Sequence, residues 1–107
     1  MAFYAYDQNN SGGYCVQDEV IADLVIIEAI DFEQANKIAD KKGLFDYDYC
    51  ECCGARFSHL YGETRSYKTV DEAIADDYRT NDYPEYKSYP TVRIHFLDGT
   101  VRRLHDR

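Results

Sequence analysis

Tryptophan is absent from this 107-residue chain, and methionine (one) and proline (two) are nearly so. Two prolines cannot build a polyproline ligand or a stiff Pro-rich linker. Positive charge is scarce as well: 12 Lys and Arg stand against 20 Asp and Glu, for a net charge of −8. That deficit argues against nucleic acid and anionic membrane as direct partners, since counterion release needs Lys and Arg on the binding face. Long apolar runs are missing. Leu24 to Ile27 is the longest aliphatic stretch, against the roughly 20 residues that a membrane-spanning helix requires. Met1-Ala2-Phe3 carries neither a basic leader nor an apolar signal core, so the thiols are expected to stay reduced in a cytoplasm. Catalytic signatures are missing too: the chain contains no G-x-S-x-G, H-E-x-x-H, P-loop or G-x-G-x-x-G. The expectation is a protein that is not an enzyme.

What is present suits a single domain over residues 1–107, long enough to bury one core. Its charge is unevenly spread. Residues 1–54 hold three basic and eleven acidic side chains, whereas residues 55–107 hold nine of each, so all the net charge lies in the first half. In the second half Asp71, Glu72, Asp76, Asp77, Asp82 and Glu85 precede Arg93, Arg102, Arg103 and Arg107. An acidic surface with a basic C-terminal edge follows.

Periodicity supplies the elements. Ala2 to Tyr6 alternates as a short strand, and the β-branched run Leu24 to Ala29 reads as a central strand covered on both faces. Asp31 caps a helix, with Gln34 at the third position of a capping box and Phe32, Ala35, Ile38 and Ala39 on one face. Lys37, Lys41 and Lys42 suit its C-terminal dipole and Gly43 its stop. Thr69 and Glu72 repeat this grammar for a second helix with Val70, Ile74 and Tyr78 inward. Asp76 and Asp77 oppose its dipole in the last turn, and local misfits of that kind mark working surface. Thr91 to Leu97, Asp98-Gly99 and Thr100 to Leu104 read as a hairpin. A two-residue turn would set Arg103 opposite Ile94, a conflict that a bulge would relieve. The expected fold is α+β: a small antiparallel or mixed sheet, two helices on one face, and a cysteine-containing insert.

Four cysteines stand at Cys15, Cys50, Cys52 and Cys53. Cys50-Glu51-Cys52-Cys53-Gly54 contains C-x-x-C-G, half of a zinc knuckle, and supplies two of the four ligands that structural zinc takes. His59 is the nearest completing ligand, with Cys15, His95 and His105 as alternatives. An unmetallated thiol loop reads the same residues equally well, and a redox pair is the weaker third reading. Eleven tyrosines interleave with acids, as in Asp46-Tyr47-Asp48-Tyr49 and Asp82-Tyr83-Pro84-Glu85-Tyr86. Tyr4, Tyr6 and Tyr78 fit core edges, whereas Tyr83, Tyr86 and Tyr89 on a Pro-flanked loop fit contact with a partner.

Three motifs in order, Tyr6-Asp7-Gln8-Asn9-Asn10-Ser11-Gly12-Gly13, Cys50-x-Cys52-Cys53-Gly54 and Arg93-x-His95-Phe96-x-Asp98-Gly99, resemble a family of small, uncharacterised tailed-bacteriophage proteins. The resemblance implies a phage product working in the bacterial host cytoplasm, and it brings no activity to transfer. By analogy of origin and charge, the expected function is inhibition of a host nucleic-acid-handling or defence complex, in the manner of an anti-CRISPR protein or DNA mimic. Asp76, Asp77, Tyr83, Glu85 and Tyr86, with Asp46 and Asp48, would cover a basic surface of a host protein. Two other readings stand beside it: a zinc-knuckle interaction module using Cys50, Cys53 and His59, and a small-molecule binder using the Asp7–Gly13 loop.

Overall fold

The computed structural model describes residues 1–8, 18–46, 57–63, 65–76 and 91–104. Among these residues five strands and two helices follow in chain order: β1 (Ala2–Asp7), β2 (Leu24–Ala29), α1 (Phe32–Lys41), β3 (Ser66–Tyr67), α2 (Val70–Ala75), β4 (Val92–His95) and β5 (Val101–Leu104). The strands form one sheet in the order β3-β1-β2-β4-β5. Only β2 and β4 run parallel, with Ile26 beside Ile94; the other pairings are antiparallel. The architecture is therefore α+β with a mixed sheet. The Cys50–Gly54 motif falls within residues 47–56, outside the described residues, as does Cys15.

Local chemistry sets the helix boundaries. Asp31 stays extended and its carboxylate accepts the Gln34 N–H at 2.8 Å, while the Gln34 side chain accepts the Ile30 N–H at 2.7 Å. Two orphan amides are thus satisfied at once. Thr69 and Glu72 do the same for α2, where Thr69 Oγ1 accepts the Glu72 N–H and Glu72 accepts the Lys68 N–H. Past Lys42, which caps the end of α1, Gly43 turns the chain at φ +82°. Helices of six and ten residues are too short to persist alone in water, so both depend on docking against the sheet.

That docking departs from the sequence expectation. Tyr4, Tyr6, Val25, Ile27 and Ala29 cluster with Ala35 and Ala39 of α1, whereas Ala5, Leu24, Ile26, Val92 and Ile94 cluster with Ala73 and Ile74 of α2. Alternate residues of a strand face opposite sides, so the two helices cover opposite faces rather than one. The reason is visible in β2, whose Leu24, Val25, Ile26 and Ile27 are all fully buried. A strand apolar on both sides needs a cover on each.

The closing hairpin also differs from a two-residue Asp-Gly turn. Phe96 N–H donates to Thr100 O, and Gly99 N–H donates to Phe96 O, both at 2.9 Å. Gly99 sits at φ +95°. A turn followed by a left-handed glycine makes a three-residue loop with a bulge. The register moves by one: Arg102 faces Ile94, and Arg103 faces Arg93.

Candidate functional site

Carboxylates gather on α2. Asp71 and Glu72 occupy its first turn, Asp76 is its C-cap, and no basic residue stands in the last turn. All three are exposed, while Ala73 and Ile74 anchor the inner side of the helix. Asp76 faces the negative end of the helix dipole, and its carboxylate is held there by the Tyr67 hydroxyl, which donates to it. Burial raises the Tyr67 pKa and the hydrogen bond to Asp76 raises it further. The phenol therefore keeps its proton and donates it in a hydrogen bond to the carboxylate. Sequence reading picked out Asp76 but not Tyr67, which lies on the two-residue strand β3. A strand that short has no periodicity to read.

Asp46, assigned by sequence to the same surface, is exposed. It follows the Leu44–Phe45 step that packs on the α1 face, and its N–H donates to Gly43 O at 3.2 Å. Asp46 thus follows a segment packed on the α1 face, whereas Asp76 caps α2, which packs on the other face. Asp48, Asp77, Tyr83, Glu85 and Tyr86 lie outside the described residues.

The candidate metal residues divide in the same way. Cys50 and Cys53 lie outside the described residues, and among the described residues no cluster of three His, Cys, Asp or Glu could hold a metal. His59 is exposed and stacks on Phe45 with ring centroids 3.7 Å apart and planes 19° apart. Its position is fixed next door. Asn36 of α1 accepts the Leu60 N–H and donates to Leu60 O, both at 2.9 Å, and the same Oδ1 accepts the Tyr6 hydroxyl at 2.8 Å. One amide thus ties helix, sheet and the 57–63 segment together. A second tie is Tyr4, which donates to Glu63 at 2.6 Å. Burial, helped by the Glu63 carboxylate, pushes the Tyr4 phenol up to about 12. Tyr4 and Tyr6 are buried, as their alternation implied.

Of the proposed Asp7–Gly13 loop, Asp7 and Gln8 are described. Asp7 is paired with Arg65. Burial alone would lower the Arg65 pKa, but the Asp7 carboxylate outweighs it and the guanidinium ends above its ordinary value. Gln8 is buried and donates to Ala22 O at 2.8 Å. Beside it Asp23 and Thr91 exchange bonds: Thr91 Oγ1 accepts the Asp23 N–H and Asp23 accepts the Thr91 N–H. These side chains tie the starts of β2 and β4 together, which is the architecture's way of fixing its one parallel pair.

Two buried polar residues depart from the sequence expectation, which set Arg93 on a basic surface edge and His95 among the alternative zinc ligands. Arg93 and His95 alternate with Val92 and Ile94, which on a sheet with one covered face would place them in water. The α1 face is covered too, and both are buried. Arg93 Nε donates to Asp18 O, and His95 Nε2 meets Val20 O, each at 2.7 Å. Together they hold the 18–21 turn against the sheet.

No described helix is long and apolar enough to cross a membrane. No curated protein and no solved structure matches the chain. A family model described as a domain of unknown function, DUF7296, matches residues 1–106, and the chain accordingly belongs to that family.

Proposed function

We propose that the chain is a non-enzymatic binding protein whose acidic side covers a basic, nucleic-acid-gripping surface on a bacterial host complex, as a phage inhibitor would. The observation that carries this reading is the exposed carboxylate set of α2, with Asp71, Glu72 and Asp76 on a helix that has no cation in its last turn. Glu72 and Asp76 stand four residues apart, where like charges repel by a few tenths of a kcal/mol. A docking cationic surface relieves that repulsion and speeds encounter. Asp77, Tyr83, Glu85 and Tyr86 extend the proposed surface along the chain from Asp76.

The test is affinity capture from bacterial lysate with the wild type and with the triple reversal Asp71→Lys, Glu72→Lys and Asp76→Lys. A partner held at physiological salt, released by high salt or competing duplex DNA, and lost in the triple variant supports the reading. Capture that ignores both salt and the reversal overturns it.

A zinc module remains the second reading, favoured by His59. Its ring stacks flat on Phe45 and the residue is exposed, so stacking leaves both ring nitrogens in the plane where a ligand bond forms. Stoichiometric zinc in the purified protein, lost on Cys50→Ser and on His59→Ala, would establish it. Protein free of zinc after preparation in zinc-supplemented medium would remove it.

A further inference from the structure

We infer that the outer edge of β5 is a docking site for an extended acidic segment of a partner protein, which adds to the sheet as a sixth strand. β5 ends the sheet order, and among the described residues nothing pairs with its outer side. Register shows which groups it offers. The Phe96–Thr100 pair is hydrogen-bonded, and bonded pairs alternate along an antiparallel ladder. Arg102 and Leu104 therefore turn their backbone toward β4, and Val101 and Arg103 turn theirs outward. Val101 is 44 % exposed, and Arg102 and Arg103, which follow it, are exposed too.

The side chains specify the occupant. Arg103 shares the α1 face with Arg93, and Arg102 shares the α2 face with Ile94, so the two guanidinium groups straddle the open edge. Among the described residues neither is in an ion pair, and the one pair there joins Arg65 to Asp7. Nearby acids are engaged elsewhere: Asp98 accepts from Thr100 at 2.9 and 2.6 Å, and Glu28 accepts the Leu97 N–H at 3.0 Å. α2 packs chiefly on β1 and β3, and its Ala73 and Ile74 join the apolar cluster that reaches Val92, Ile94 and Leu104. Arg102 and Arg103 are the charged side chains that β5 itself presents at its open edge.

A second copy pairing through β5 would set arginines against arginines, which rejects it. Charges on an edge strand block indiscriminate pairing, and these two leave open a strand that carries carboxylates on both faces. Main-chain bonds to Val101 and Arg103 would supply affinity, and the flanking arginines selectivity.

The test uses the full chain labelled with nitrogen-15 and two synthetic decapeptides, one alternating Thr with Glu and one alternating Thr with Lys. The acidic peptide should shift the Val101 and Arg103 amides and slow their exchange. Arg102→Glu with Arg103→Glu should weaken its binding at least tenfold. Val101→Pro, which removes an outward donor without breaking a bond to β4, should abolish it. Unchanged dispersion elsewhere in the spectrum confirms that each variant folds. The inference is overturned if the acidic peptide leaves the β5 amides unmoved at millimolar concentration, if the Lys peptide binds as well, or if Val101 becomes protected with protein concentration alone.

Discussion

A single imidazole shows how much of this molecule's pH response rests on one residue. His95 is buried, its Nε2–H donates to Val20 O, and its Nδ1 is buried without a partner. Burial lowers its pKa, the Val20 carbonyl opposes that, and the cations Lys42 and Arg93 lower it further. The folded state thus resists the proton that the unfolded chain accepts near pH 6.5. Stability is intact above that value and falls as pH drops below it toward the folded pKa, by at most about 1.4 kcal/mol per pH unit for one proton. In His95→Gln, which retains a donor for Val20, urea midpoints between pH 7 and pH 5 should decline less than in the wild type; equal decline would assign the loss to carboxylates. Asn36 is the second such residue. Asn36→Ala strips partners from Leu60 and from the Tyr6 hydroxyl at once, a loss of about 2 kcal/mol if water replaces them only in part. The His59 ring, one residue from Leu60, should then leave Phe45, visible as loss of its ring-current shift. Neither role was legible in the sequence, because each depends on which strand face a distant helix covers.

Elements follow a different rule. Caps are local chemistry, so Asp31, Gln34, Thr69 and Glu72 set the helix starts as their spacing implied, and Leu24–Ala29 formed the expected strand. Pairing is not local. β2 and β4 are joined through α1, β3 and α2 before they meet in parallel, and no residue of β4 announces its neighbour. The turn between β4 and β5 lies between these cases: Asp98-Gly99 marked a turn, while the loop length was set by the left-handed Gly99. An added Cβ at Gly99 meets nothing within 4 Å, so Gly99→Ala isolates the conformational cost, about 1–2 kcal/mol for a left-handed L-residue. Chemical denaturation should show that loss for alanine and a smaller one for Gly99→Asn, since Asn tolerates this region better. Equal effects would mean that the loop has changed type. The candidate site was legible to the same degree. Asp76 was singled out because it opposed the dipole of α2, whereas the hydroxyl that holds it comes from β3, whose two residues exist as a strand only through pairing with Phe3 and Tyr4.

At the scale of the whole molecule, charge is organised across the sheet. The carboxylates Asp71, Glu72 and Asp76 stand on α2, and Arg102 and Arg103, in no ion pair among the described residues, stand on β5. Acids outnumber bases by eight over the chain, and the net charge of −8 acts as self-repulsion. Salt screens that repulsion in the folded state more than in the expanded chain, where the charges are farther apart. The melting temperature should therefore rise between low and moderate sodium chloride. Reversing Arg102 and Arg103 to Glu takes the net charge from −8 to −12, two units for each residue, and should steepen the rise. Reversing Asp71 and Glu72 to Lys takes it to −4 by the same count and should flatten it. Differential scanning fluorimetry across a chloride series reads all three slopes. A wild-type melting temperature that falls with salt would mean that attractive pairs such as Asp7 with Arg65 outweigh the repulsion, and that the acidic side is less available to a cationic partner than its composition implies.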